Sequence, residues 1–422
     1  MAGASAVKTA GGFDLEGAGA AGVDPDGLRR AFGLLSGWVE AGVLPGAAAL
    51  VARGGVIAGE AYLGLASRAD GRAVDAETIW SLASVTKPFT ATAVLLLVEA
   101  GAFSLDESLG TLLPEFLDGA PAAFDRGAVN LRHVLAHCSG LPGFSADNTD
   151  LRRAHRPLED FVASYGSQAL LFAPGTAHYY SNPGILLAAE AVGRALEGTL
   201  GQRVERPAVG RYHPFVHERI LTPLGMGSSS LLPPAAWDDR IAKVEGTGQA
   251  GEDWEMANSA YYRSLGIPWG GMFSRPRDLV RFVDLFLPAA TGRQRIGAAA
   301  DGAQLVSPAT ARAMTAVQFA PPDAPADLAP ELRDSAARTA PLPAVEWGLG
   351  WTVKGAKRPH FSGELTSAAA YGHLGATGTM VWADPLTDVA CVLLTNQTLV
   401  SGWTQQRLRQ AHFSNAVGAA IR

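Results

Sequence analysis

Ser84-Val85-Thr86-Lys87, where a polar stretch gives way to the apolar run 91–98, decides how the rest of the chain is read. Residues three apart share one face of a helix. A serine hydroxyl is a weak nucleophile at neutral pH and needs a base within hydrogen-bond reach. A lysine withdrawn from water gives up its proton more readily and can be that base. The two side chains form a candidate catalytic dyad, although a solvated first helical turn would show the same spacing.

Two further segments decide between those readings. Tyr180-Ser181-Asn182 follows a Pro174-Gly175 turn, and His373-Leu374-Gly375-Ala376-Thr377-Gly378-Thr379 precedes an apolar strand. Three motifs in this order resemble the serine β-lactamase and penicillin-binding-protein superfamily, with its Ser-x-x-Lys, Ser-Asp-Asn and Lys-Thr-Gly signature. Here the second motif is Tyr-x-Asn and the third His-Leu-Gly. Both variants look like the class C β-lactamase branch and its relatives: family VIII carboxylesterases, D-aminopeptidases, nylon-oligomer hydrolases and statin-synthase-type acyltransferases. Residues 131–142 are similar to that family's helix-then-loop segment, and Gly270-Gly271-Met272-Phe273-Ser274 with Arg277-Asp278 to its glycine turn before a helix. The resemblance covers about residues 25–420.

Composition suits an enzyme with a large core. The 422 residues are 48% hydrophobic and 18% charged, enough for more than one domain. A net charge of −6 with scattered Lys and Arg gives no basic stripe, so nucleic acid is not an expected partner. The two cysteines, Cys138 and Cys391, read as free buried thiols. Residues 1–24 lack the cationic start and apolar core of a secretory signal, and no segment has the roughly 20 apolar residues of a membrane span. The expected location is cytoplasmic, without membrane attachment; the oligomeric state stays open.

Along the chain, residues 1–24 read as a flexible start. Asp24 then caps a helix with Pro25 in its first position, running to about residue 41. Segments 47–52 and 56–63, separated by Arg53-Gly54-Gly55, read as a hairpin. Helical patterns dominate from 84 to about 287, with Ser104-Leu105-Asp106-Glu107 as a capping signal. Residues 320–345, rich in Pro and Ala, read as a loop. Strands follow at 347–353, 368–373, 379–382 and 389–395, then a terminal helix from about 404. The expected architecture is an α/β domain from residues 25–83 and 346–422, with a mainly helical domain, 84–319, inserted in it. The resemblance implies the same: a β-lactamase/transpeptidase-like fold, an antiparallel sheet flanked by helices.

It also implies roles. Ser84 would be the nucleophile, with its own N–H and that of Ala376 as the oxyanion hole, Gly375 permitting the close approach. Lys87 would take the Ser84 proton directly or share it with Tyr180, whose phenol is a base only if cations hold its pKa down; which of them acts stays open. Tyr180 would later protonate the leaving group, and Asn182 would bond Lys87 and the acyl side of the substrate. The family's lactamases and transpeptidases hold a substrate carboxylate with lysine and threonine where this chain has His373 and Leu374. A mostly neutral imidazole and a leucine weaken that anion site, which disfavours β-lactams and favours neutral esters. Trp269, with Tyr262 and Trp351, is a candidate wall for an apolar group.

Metals have little support: His133 with His137, and His213 with His217, lie four apart but lack the glutamate of His-Glu-x-x-His and a third ligand. No cofactor is called for. No Gly-x-Ser-x-Gly elbow is present. The expected function is a serine hydrolase forming an acyl-enzyme on Ser84, a carboxylesterase on short-chain or aryl esters. A β-lactam or other amide hydrolase, or an acyltransferase, would use the same site, loops 145–156 and 203–212 deciding what enters it. A binding protein that has lost turnover would show damage at Ser84, Lys87 or Tyr180, and none is damaged.

Overall fold

The computed structural model describes residues 12–119, 124–288, 295–298, 304–319, 346–399 and 402–422. The Pro- and Ala-rich stretch 320–345 and the first eleven residues lie outside these.

Asp24 caps the first helix, α1 (Pro25–Glu40), by accepting from the Gly27 N–H. Strands β1 (Phe13–Asp14), β2 (Gly46–Arg53), β3 (Val56–Ser67) and β4 (Arg72–Ala73) belong to the same N-terminal part of the chain. The β2–β3 connection turns on Gly54 and Gly55, both at positive φ (+59° and +78°), as a tight hairpin requires. Residues 12–24 correct the expectation of a flexible start: β1 pairs antiparallel with β3, and Val23 bridges Ile421. The composition hid this because small residues such as Ala18 and Ala21 are buried here without forming a recognisable apolar stripe.

After β5 (Trp80–Ser81), the chain enters α2 (Lys87–Glu99), α3 (Leu131–Leu135), α4 (Leu158–Gly166) and α5 (Asn182–Glu197). The short β6 (Phe273–Ser274) pairs with β5, and α6 (Pro276–Asp284) follows. Ser104 and Glu107 do form a reciprocal bond, but it closes a turn rather than opening a helix. The C-terminal part adds β7 (Thr352–Val353), β8 (Tyr371–Gly375), β9 (Thr379–Asp384), β10 (Val389–Thr395) and α7 (Trp403–Ala419). The expected strand 347–353 shrinks to its last two residues. Gly350, at φ +78°, turns the chain, and the Gly348 N–H donates across that turn to the Trp351 carbonyl.

Among the described residues the main sheet runs β1-β3-β2-β10-β9-β8-β7, with β4 on β3, every pairing antiparallel. Its central strands are apolar throughout because both faces are covered. Ala49 and Val51 of β2, Met380 and Trp382 of β9, and Cys391 and Leu393 of β10 face a core shared with α1 and α7. The alternate residues Ala48, Leu50, Val381, Ala383, Val392 and Leu394 face the larger core that contains α2, α4, α5 and α6. Thus α6, expected within the helical insert, packs against the sheet through Leu279, Val280, Phe282 and Val283. The start of α2 meets the end of β8, and there the candidate residues gather.

Candidate active site

Ser84 sits in a single 3₁₀ turn, Ala83–Thr86, that runs directly into α2. Ala83 holds φ at +45°, an uncommon conformation for a residue with a Cβ, and such strain clusters at functional positions. The turn is fastened on several sides. Thr86 Oγ1 donates to the Ala83 carbonyl and accepts from the Met272 N–H, while the Leu82 N–H donates to the Met272 carbonyl. Ser84 itself is half-buried.

Lys87, one turn on, is completely buried. Its Nζ lies 3.1 Å from Ser84 Oγ and donates to the Trp269 carbonyl oxygen at 2.9 Å. It also stands 4.6 Å from the centre of the Tyr180 ring. Burial holds the Lys87 amine well below its ordinary pKa, and among the described residues no carboxylate offsets it.

Tyr180 reaches the dyad from the segment before α5. Its ring is partly exposed, but its hydroxyl is buried and has no hydrogen-bond partner of normal geometry among the described residues. Burial pushes the phenol pKa up; Ser84, close by, opposes the shift only weakly. The condition under which the phenol becomes a base, a pKa held down by cations, is not met. Tyr179, its neighbour, turns away onto Phe172 and Ala177.

The Tyr180 segment is laced to residues 137–143. Tyr179 N–H donates to the His137 carbonyl, Ser181 N–H to His137 Nδ1, and Ser181 Oγ to the Pro142 carbonyl. Asn182 donates to the Gly143 carbonyl through both its backbone N–H and its side-chain amide, the latter at 2.9 Å. This corrects the expected Asn182–Lys87 bond: the Asn182 side chain is tied to Gly143 through its N–H, and Lys87 Nζ bonds Trp269 and Ser84 instead. Trp269 is corrected too. Its indole is buried between Phe161 and Tyr165, so only its carbonyl faces Lys87. Tyr262 bonds the Gly270 carbonyl from inside the core, and Trp351 packs on Phe286 and Tyr371.

On the opposite side, the turn after β8 is stitched to the residues before Ser84. Thr377 Oγ1 donates to the Ser81 carbonyl at 2.7 Å and Thr379 Oγ1 to the Leu82 carbonyl at 2.9 Å. The fit leaves no room at Gly375, where a Cβ would stand 2.2 Å from Leu82 O. Among the described residues, no carbonyl accepts from the N–H of Ser84 or of Ala376. Ser84 and Ala376 each keep an N–H unspent on a carbonyl, as an oxyanion hole requires.

His373 is buried on β8, with its ring centre 6.1 Å from that of Tyr180. Its Nδ1 is 2.7 Å from the Leu374 carbonyl, which can only accept, so the proton sits on Nδ1. Burial lowers its pKa to about 3, which keeps it neutral, and the lone pair on Nε2 has no partner among the described residues. Leu374 points the other way, against the core under α1.

Several contributors escaped the sequence reading. Trp347 packs edge-on to His137 at 4.7 Å and to His373 at 5.7 Å, closing the site from the turn before β7. His137, which the sequence places in the helix-then-loop segment 131–142, reaches the Tyr180 ring at 4.4 Å. Thr377 and Thr379 have a signal in the sequence, two hydroxyls flanking Gly378, the glycine of a tight turn. Loop 203–212 is anchored by Asp118, Glu115 and Glu190, on the helical side of the molecule. His133 and His137 do not share a ligand: His137 faces Tyr180, and His133 lies beside Gly175. Among the described residues no helix is long and apolar enough to cross a membrane, and no three His, Cys, Asp or Glu side chains gather to hold a metal.

A family model described as Beta-lactamase matches residues 33–411. The chain is 29% identical over 377 residues to penicillin-binding protein 4 of Amycolatopsis lactamdurans, covering 87% of this chain and 84% of that protein. It is 30% identical over 383 residues to esterase EstB of Burkholderia gladioli, covering 84% of this chain and 86% of that one. Among solved structures, a penicillin-binding-protein homologue from Caulobacter crescentus superposes with a TM-score of 0.69 at 22% identity, over 95% of this chain and 99% of that one. That likeness shows the β-lactamase/transpeptidase-like fold, as the motifs implied.

Proposed function

Because this chain belongs to the beta-lactamase family, we propose that it is a serine hydrolase that forms an acyl-enzyme on Ser84 and acts as a carboxylesterase on short-chain or aryl esters. The observation that carries this is Lys87: an amine with no exposure, 3.1 Å from Ser84 Oγ and held below its ordinary pKa. A neutral Nζ uses one N–H on the Trp269 carbonyl, which leaves its lone pair free to turn toward the serine hydroxyl.

In this reading Ser84 Oγ attacks the ester carbonyl carbon as its proton passes to Lys87 Nζ. The carbonyl oxygen gains the negative charge and is held by the N–H groups of Ser84 and Ala376. Collapse of the adduct breaks the bond to the leaving alcohol, which takes a proton from the Lys87 ammonium by way of the Tyr180 hydroxyl. Tyr180 stays protonated throughout, in keeping with its raised pKa. Water then attacks the acyl carbonyl carbon as one of its protons passes to Lys87 Nζ; collapse of this second adduct breaks the bond to Ser84 Oγ, which takes that proton back from Lys87 as the acid leaves. General-base help of this kind contributes about 10²–10⁴-fold, and each oxyanion donor about 10²–10³-fold.

The ester preference rests on His373. A neutral imidazole whose free nitrogen is an acceptor offers nothing to a carboxylate, and esterase EstB, at 30% identity, supports the same choice. Hydrolysis of an amide or β-lactam at this site is the second reading, favoured by the 29% identity to a penicillin-binding protein. Initial rates on a short p-nitrophenyl ester and on a chromogenic cephalosporin, each with Ser84→Ala as control, separate the two. Fast ester turnover with negligible cephalosporin cleavage supports the esterase; comparable cleavage of both overturns the argument from His373.

A further inference from the structure

We propose that His137 is a positioning residue for the reaction at Ser84, clamping Tyr180 over Lys87 through its main-chain carbonyl, its Nδ1 and its ring face at once. The inference rests on the reading above, in which Tyr180 serves as proton relay.

The clamp is visible in three contacts on either side of Tyr180. The N–H of the preceding residue, Tyr179, donates to the His137 carbonyl at 2.9 Å, and the N–H of the following residue, Ser181, donates to His137 Nδ1 at 3.2 Å. Between them the Tyr180 ring lies 4.4 Å from the imidazole, and Trp347 packs edge-on to the imidazole at 4.7 Å and on the Tyr180 ring at 5.8 Å. One residue therefore fixes both backbone neighbours and the ring of Tyr180.

Histidine holds this place against local cost. Its φ is +57°, in the left-handed region, its ring is wholly buried, and its Nε2 has no partner among the described residues. Because Nδ1 accepts from Ser181, a neutral ring carries its proton on Nε2. The titratable groups around it are Lys87 from α2, His178 and Tyr180 from the segment before α5, and His373 from β8; burial keeps it uncharged. Features that break local rules together concentrate where geometry serves function.

Asparagine tests the idea because it tolerates the left-handed conformation and can offer Oδ1 to the Ser181 N–H while removing the ring. His137→Asn should lower kcat on a p-nitrophenyl ester about tenfold at nearly constant KM. His137→Leu, which removes the acceptor as well, should lower it about 10²-fold, the cost typical of an ångström-scale misplacement. In the Tyr180→Phe background, His137→Asn should cost nothing further, since the group it positions is gone. If His137→Asn keeps wild-type kcat, or costs as much in the Tyr180→Phe background as it does with Tyr180 present, the positioning role is overturned while the Ser84 reading stands. If Tyr180→Phe itself retains wild-type kcat, the relay fails and this inference with it. Should the leucine variant not fold, the asparagine and double-variant arms still decide.

Discussion

Replacing Gly375 with alanine probes how closely β8 must approach the turn that carries Ser84. The new Cβ would lie 2.1 Å from Thr379 Oγ1 and 2.2 Å from the Leu82 carbonyl oxygen, where ordinary contact begins near 3.4 Å. Thr379 can rotate its hydroxyl aside. Leu82 cannot, because its carbonyl is main chain and its N–H is bonded to Met272. Relief therefore requires β8 to back away from the Ser84 turn by roughly 1 Å, a displacement that alone can cost about 10²-fold in rate. The movement carries the Ala376 N–H out of reach of the developing oxyanion while leaving that of Ser84 in place. Loss of one such donor lowers kcat by about 10²–10³-fold. Overpacking adds about 1–3 kcal/mol of destabilisation. Steady-state hydrolysis of a short p-nitrophenyl ester, with kcat and KM separated, and thermal unfolding of the same preparation measure both. A folded Gly375→Ala variant with wild-type kcat would refute the oxyanion geometry.

Lys87→Met should lower kcat by at least about 10²-fold yet leave the protein at least as stable at neutral pH. The native state disfavours the Lys87 proton, whereas the unfolded chain binds it up to the ordinary lysine pKa of about 10.4, so wild-type stability rises with pH over that interval; denaturant titrations across pH should find this slope reduced in the variant. His373→Lys should shift selectivity toward substrates bearing a carboxylate by about tenfold or more, the value of one charge-assisted hydrogen bond, read as a ratio of kcat/KM for a carboxylate-bearing ester against its methyl ester. An unchanged ratio would remove His373 from the binding site. Thr377→Val strands the Ser81 carbonyl and should cost about 1–3 kcal/mol in urea unfolding together with part of kcat; a neutral effect on both would show that this stitch does not hold the turn.

What could be read in advance followed the range of the interactions. Asp24 as a cap, the Gly54-Gly55 hairpin and β10 (Val389–Thr395) depend on a few adjacent residues and a two-residue alternation, and the expected bounds met the observed ones closely. The meeting of Ser84, Lys87 and Tyr180 was legible because the motifs carry it. The second layer was not. Asn182 turned to Gly143 and the Trp269 indole to Phe161 and Tyr165, choices set by packing between segments far apart in sequence. Trp347 lay in an apolar run that reads as strand until Gly350 breaks it, and His137 reaches Tyr180 only because its own backbone is left-handed.

The central claim is that an ester acylates Ser84 with Lys87 as the base. A p-nitrophenyl ester mixed with the enzyme, quenched with acid within the first turnovers and examined by intact-protein and peptide mass spectrometry tests it directly. The account predicts one acyl group on the peptide containing Ser84, absent in Ser84→Ala and accumulating far more slowly in Lys87→Met. Ester turnover that persists in Ser84→Ala, or an adduct on another residue, would contradict it.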